Sequence, residues 1–189
     1  MSASTNLCTR DSVKSYLGLT GTTYDGVIDL LIPAASEAIE RFCRRRFGQS
    51  SYTEYHDGGG KDALVLAQRP VASVSGIWDD VNRNFSDDFL LDADDYVVDT
   101  ARGLVVLRSG AFADGVRNVK VTYTAGYSSV PTDVAQACIM LVAALFHRGR
   151  EAADGLDGRT IAEASQQFAQ DTLPAQVQQI LRACRDHTV

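Results

Sequence analysis

Residues 118–145 read NVKVTYTAGYSSVPTDVAQACIMLVAAL, and the spacing of the apolar positions changes within them. Val119, Val121 and Tyr123 alternate with Lys120, Thr122 and Thr124, the period of a strand with one buried face. Gly126, Ser128 and Ser129 break that pattern. Beyond Pro131, Val134, Cys138, Leu141 and Leu145 recur every three or four residues, the stripe of an amphipathic helix that starts at Pro131 or Thr132 and fades near Gly149. The chain therefore passes here from an alternating region back into a helical one.

The same division appears upstream. Residues 9–19 place Val13, Tyr16 and Leu17 at helical spacing behind Thr9, which can cap the first turn, and Gly18 and Gly21 close the segment. Over 24–47, Ile28, Leu31, Ile32, Ala35, Ile39 and Phe42 mark a long amphipathic helix. Pro33 lies within it, so the helix either kinks there or starts there, and Gly48 is expected to end it. Between 51 and 126 alternation predicts strands over 52–56, 63–66, 71–78, 96–99, 104–107 and 118–124. No connection among them is long enough for a helical crossover, so they are expected to pair antiparallel. Residues 150–172 are polar and weakly patterned, as in an exposed arm, and a last helix is expected over 174–186 with Pro174 in its first turn.

Neither long helix can bury its stripe alone, so the two are expected to pack on each other across the β segment. The resulting fold class is α+β: an antiparallel helical bundle interrupted by an antiparallel β insertion, with a C-terminal arm and helix. Residues 1–50 and 128–189 form the helical core with its arm at about 150–172, and 51–127 form the insertion.

Composition narrows the function. With 45% hydrophobic and 22% charged residues, the 189-residue chain is neither disordered nor collagen-like. Its net charge of −6 disfavours a protein whose whole surface grips nucleic acid, so any contact with DNA must be local. The longest apolar run, 137–146, falls short of the roughly 18 residues of a membrane span, and the N-terminus lacks the pattern of a signal peptide. A soluble cytoplasmic chain is expected, in which the Asn84-Phe85-Ser86 sequon is incidental. Cys8, Cys43, Cys138 and Cys184 are far apart, without zinc-finger spacing, and read as reduced, mostly buried thiols.

Catalytic patterns are incomplete. Gly58-Gly59-Gly60-Lys61 has Tyr55 and Asp62 where a phosphate-binding loop needs Gly and a hydroxyl, and reads as a hairpin loop. Gly126-Tyr127-Ser128 lacks the closing Gly of a nucleophile elbow, since Val130 stands there. His56, His147 and His187 sit in separate elements. The acidic run Asp79, Asp80, Asp87, Asp88, Asp92, Asp94, Asp95 and Asp99 offers hard oxygen ligands that calcium could use, but lacks the order of an EF-hand, and a solvated, partner-facing loop is the alternative. No catalytic residue, metal ligand or cofactor is assigned. Arg41, Arg44, Arg45 and Arg46 form the one basic concentration. They serve either the helix dipole and acidic loops of the chain itself, or DNA phosphate or an acidic partner.

Several stretches, taken in order, resemble the head-tail connector, or adaptor, proteins of tailed bacteriophages and phage-like gene-transfer particles. They are Val13-Lys14-Ser15-Tyr16-Leu17; the helix from Leu31 through Pro33 and Glu40 to Arg46-Phe47; Tyr52-Thr53-Glu54-Tyr55-His56-Asp57-Gly58; Arg69-Pro70-Val71-Ala72-Ser73-Val74; 119–127; 130–137; and Leu173-Pro174-Ala175-Gln176-Val177 onward. The acidic segment 79–99 and the arm 150–172 depart from the family pattern. The resemblance implies a structural protein of the virion neck, made in the host bacterial cytoplasm. Its copies would form a ring, typically dodecameric, under the portal protein, extending the DNA channel and docking the next neck, stopper or tail protein. It implies no enzyme, no cofactor and no membrane.

In such a ring Arg41, Arg44, Arg45 and Arg46 would meet channel DNA, non-specifically, or a neighbour's acidic loop. Trp78, Asp79, Asp80, Asp92, Asp94 and Asp95 would form an assembly surface towards the downstream partner or next subunit. The arm, with the final helix, would become ordered on meeting the portal or an adjacent subunit. The competing classes are another neck or tail-completion protein, a non-viral calcium- or carboxylate-dependent hydrolase, and an unrelated binding module.

Overall fold

The structure is a computed structural model, and it describes residues 6–152 and 173–185. The chain is α+β, with two compact units. Described residues up to Gly48 and from Ser129 onward form a helical unit, and Gln49–Ser128 form a β unit. Part of the expected arm, residues 153–172, lies outside the described residues, as does His187.

In the helical unit, α1 (Arg10–Leu17) starts at a reciprocal cap: the Ser12 N–H donates to the Thr9 hydroxyl, and the Thr9 N–H donates to the Ser12 hydroxyl. Helix α2 spans Asp25–Cys43 with Pro33 inside it, so the helix does not start at the proline. Proline leaves the Asp29 carbonyl without its helical donor, but both residues are exposed, so that oxygen is on the solvent side. The buried stripe Ile28, Leu31, Ile32, Ala35 and Ile39 holds the helix on both sides of the proline. Each fully buried large member of such a stripe contributes about 1.5–3 kcal/mol.

The helix ends earlier than Gly48. Arg44 closes it in the left-handed region, at φ 55°, and its N–H caps the last turn. Helix α3 (Thr132–Ala152) continues past Gly149 and packs against α2 and α1. Helix α4 (Ala175–Leu181) buries Val177 and Leu181 and packs on α3, and a 3-10 turn, Arg182–Cys184, follows it. None of these helices is long and apolar enough to cross a membrane.

The β unit contains two three-stranded antiparallel sheets. Strands β1 (Ser50–His56), β6 (Val119–Ala125) and β3 (Val71–Asp79) form the first in the order β1-β6-β3; β2 (Ala63–Val65), β5 (Leu104–Leu107) and β4 (Tyr96–Asp99) form the second in the order β2-β5-β4. The alternation in β6 is realised in full: Val119, Val121, Tyr123 and Ala125 are buried, and the residues between them are half-buried. These side chains share one core with Leu64, Leu66, Val71, Ile77, Val105 and Phe112.

Candidate functional site

The end of α2 carries the basic group. Because the helix stops at Cys43, Arg44, Arg45 and Arg46 lie beyond it, and the four arginines do not share a continuous helical face. Glu40, one turn earlier and almost fully buried, accepts the Arg46 guanidinium at 2.8 Å and the Phe47 N–H at 3.2 Å. The Arg45 guanidinium lies 5.4 Å from the centre of the Phe47 ring. Arg46 and Arg45 thus help to build the end of the helix. Arg41 and Arg44 are exposed, and Arg41 makes a loose 3.9 Å ion pair with Glu37. Sequence spacing could not add Arg185, which comes from the chain's other end to lie 5.3 Å from the centre of the Phe42 ring.

The acidic run divides by role. Asp79 accepts the Ala113 N–H at 2.8 Å and the Asn118 side-chain amide at 3.2 Å. Asp80 is buried, and its carboxylate gathers the N–H groups of Asn82, Asn84 and Phe85 at 2.8, 2.6 and 2.9 Å. Burial alone would raise its pKa, but the backbone donors outweigh burial and hold it below the ordinary carboxylate value. Asp79 and Asp80 therefore shape loops, whereas Asp92, Asp94 and Asp95 stand exposed around a short 3-10 turn (Ala93–Asp95) before β4. Among the described residues, no three His, Cys, Asp or Glu side chains converge as a metal site. His56 is paired with Glu54 at 3.0 Å, and His147 is exposed beside an open groove of about 260 Å³ between Tyr16, Met140 and Val177.

Trp78 folds back over Gly76, where an added Cβ would come within 2.6 Å of the indole. Register aligns Tyr55, Lys120 and Trp78 across the first sheet. The Lys120 ammonium lies 3.9 Å from the Trp78 ring centre and 5.5 Å from that of Phe85, and Arg117 lies 5.4 Å from that of Tyr55. The cluster joins side chains distant in sequence, and only knowledge of the register could have assembled it.

The loop after β1 is not the hairpin expected from the sequence, because β1 and β2 pair in different sheets. At Gly58 an added Cβ would stand 2.1 Å from the Ala113 carbonyl oxygen, and the Gly58 N–H donates to Asn118 at 3.0 Å.

The second sheet has an unusual outward face. Leu64, Val105 and Val98 turn inward in one cross-strand row, so register places Ala63, Val106 and Val97 in an outward row and Val65, Leu104 and Asp99 in the next. Val65 is 52% and Val97 47% exposed, although the outer face of an antiparallel sheet is ordinarily polar.

Comparison with solved structures finds the same fold in neck proteins of gene transfer agent (GTA) particles. A chain from the neck of a native GTA particle computed with C12 symmetry is 20% identical, with a TM-score of 0.60 over 95% of this chain and 88% of that one. A chain from the neck of an empty GTA particle computed with C6 symmetry is 20% identical, with a TM-score of 0.64 over 100% and 95%. A chain from the virion of a native GTA particle gives the same values. No curated protein matches the sequence. The head completion protein family matches residues 6–187, and a match running through almost the whole chain, both units included, shows that this protein belongs to the head completion protein family.

Proposed function

We propose that this chain is a structural protein of the virion neck, acting as a head-tail adaptor. Its copies close a ring, dodecameric in this reading, beneath the portal protein, extend the DNA channel and offer a docking surface to the next neck or tail component. The observation that carries the reading is the fold likeness to GTA neck chains, which runs through 95–100% of this chain. The exposed features are consistent with it. A cyclic ring uses two different patches on each copy, and this chain exposes the basic pair Arg41 and Arg44, the acidic turn Asp92, Asp94 and Asp95, and an apolar sheet face.

In this reading Arg41 and Arg44 meet either channel DNA or a neighbour's acidic turn, and Trp78, with its cationic neighbours, lies towards the downstream partner. The test is co-sedimentation with the portal protein encoded near this chain, followed by electron microscopy of the heavy fraction. A ring stacked on the portal is expected. A correctly assembled portal that recruits none of the chain would defeat the adaptor reading in favour of another virion position.

A further inference from the structure

Cys8 and Cys138 are 130 positions apart, yet their sulfur atoms lie 3.3 Å from each other. Both neighbours of Cys8 are fixed. The Leu7 N–H donates to the Ser36 hydroxyl at 3.0 Å, and Thr9 is held in the cap of α1. Ser36 in turn donates to the Ile32 carbonyl at 2.8 Å and lies 3.7 Å from the Cys138 sulfur, so one buried hydroxyl anchors the N-terminal segment where the two thiols meet. A disulfide needs an S–S separation of about 2.05 Å, so the sulfurs have to close by only about 1.3 Å.

We infer that Cys8 and Cys138 form an oxidation site, a latent disulfide that a peroxide closes and a thiol reopens. Cys8 is the attacking sulfur. It retains 8% exposure against none for Cys138, so it is the sulfur that a peroxide can reach. The Cys8 thiolate attacks one peroxide oxygen, the O–O bond breaks, and the departing hydroxide takes a proton to leave as water. The Cys138 sulfur then attacks the resulting sulfenic acid, the S–O bond breaks, and a second water carries off the Cys138 proton. Each sulfur gives up one electron, and the peroxide is reduced to two waters. In a particle assembled in a reducing cytoplasm and then released, the bond would close after assembly; the chemistry does not depend on the neck reading.

Tryptic cleavage separates all four cysteines, placing Cys8 in 1–10, Cys43 in 42–44, Cys138 in 121–148 and Cys184 in 183–185. The folded full-length chain, first reduced, is treated with hydrogen peroxide, quenched in acid, alkylated and digested without reductant. Peptide 1–10 is expected joined to 121–148, two hydrogens lighter than their sum and separated again by dithiothreitol. The linked protein is expected to melt about 5 °C or more above the reduced one, because the bond closes a very long loop. Cys8→Ala abolishes both the link and the rise, and Cys138→Ala leaves a sulfenic acid on Cys8 that dimedone captures. Recovery of both thiols alkylated after peroxide, linkage of Cys8 to Cys43 or Cys184, or unlinked sulfinic acid on Cys8 in the unaltered chain would each overturn the assignment.

Discussion

Glu54 receives donors from three places in the β unit: the His56 ring at 3.0 Å, the Tyr123 hydroxyl, and the Ala67 N–H at 3.1 Å. Tyr123 also accepts the Gln68 N–H at 3.0 Å, so this carboxylate and one phenol fasten the segment after β2 to the first sheet. Burial alone would raise the Glu54 pKa, but the three hydrogen bonds outweigh it and hold the group below its ordinary value of 4.5. A carboxyl lowered in the folded state stabilises the fold above its unfolded pKa, and that contribution disappears as pH falls through the folded one. Glu54→Gln is therefore expected to cost about 1–3 kcal/mol at pH 7, since one accepting oxygen becomes an amide donor facing other donors. The gap between variant and parent should narrow as pH falls below about 4.5, as measured by urea unfolding across pH; a gap constant over that range would count against the carboxylate's role. None of this was legible in the sequence, where Glu54 is one polar residue of an alternating strand.

Elements were far more legible than their contacts. The six strands lie close to where alternation places them; period two is recorded directly in β1 and β6, whereas two register shifts interrupt it in β3. The end of α2 was misread because Gly48 is the conventional stop and Arg44 is not, while the position that the backbone needs in the left-handed region is Arg44. An L-residue there is strained by roughly 1–2 kcal/mol. Arg44→Gly is thus expected to raise stability by about 0.5–1 kcal/mol, part of the relief being offset by the greater freedom of glycine in the unfolded chain. Thermal and urea melts of the isolated protein measure this, and a loss of stability would mean that the arginine side chain supports the turn. If Arg44 also contacts DNA or a neighbour as proposed, the stabilised variant should sediment less well with the portal. An arginine at a position favouring glycine is consistent with a task outside the helix.

At the scale of the molecule, the tension lies between a well-filled β core and an apolar face left outside it. Leu64 and Val105 are buried, while Val65 and Val97, on the two edge strands of the same sheet, are about half exposed. Composition alone could not reveal this, since valine on both faces of a short strand reads the same as valine in a core. Water contact with these side chains brings the isolated chain no stability, so covering them is a source of free energy for association. In the proposed ring the occupant is a second copy. Val65→Lys with Val97→Lys places on both edges the residue that natural sheets use to discourage edge contacts. The isolated chain should stay within about 1 kcal/mol of the parent, because neither side chain fills the core. Ring formation on the portal should fall sharply. A variant that keeps its stability and still forms rings would remove this face from the interface and leave closure to the Arg41 and Arg44 pair and the acidic turn at Asp92, Asp94 and Asp95. Those charged contacts would then make assembly strongly salt-sensitive, whereas an interface built on the apolar face should tolerate salt.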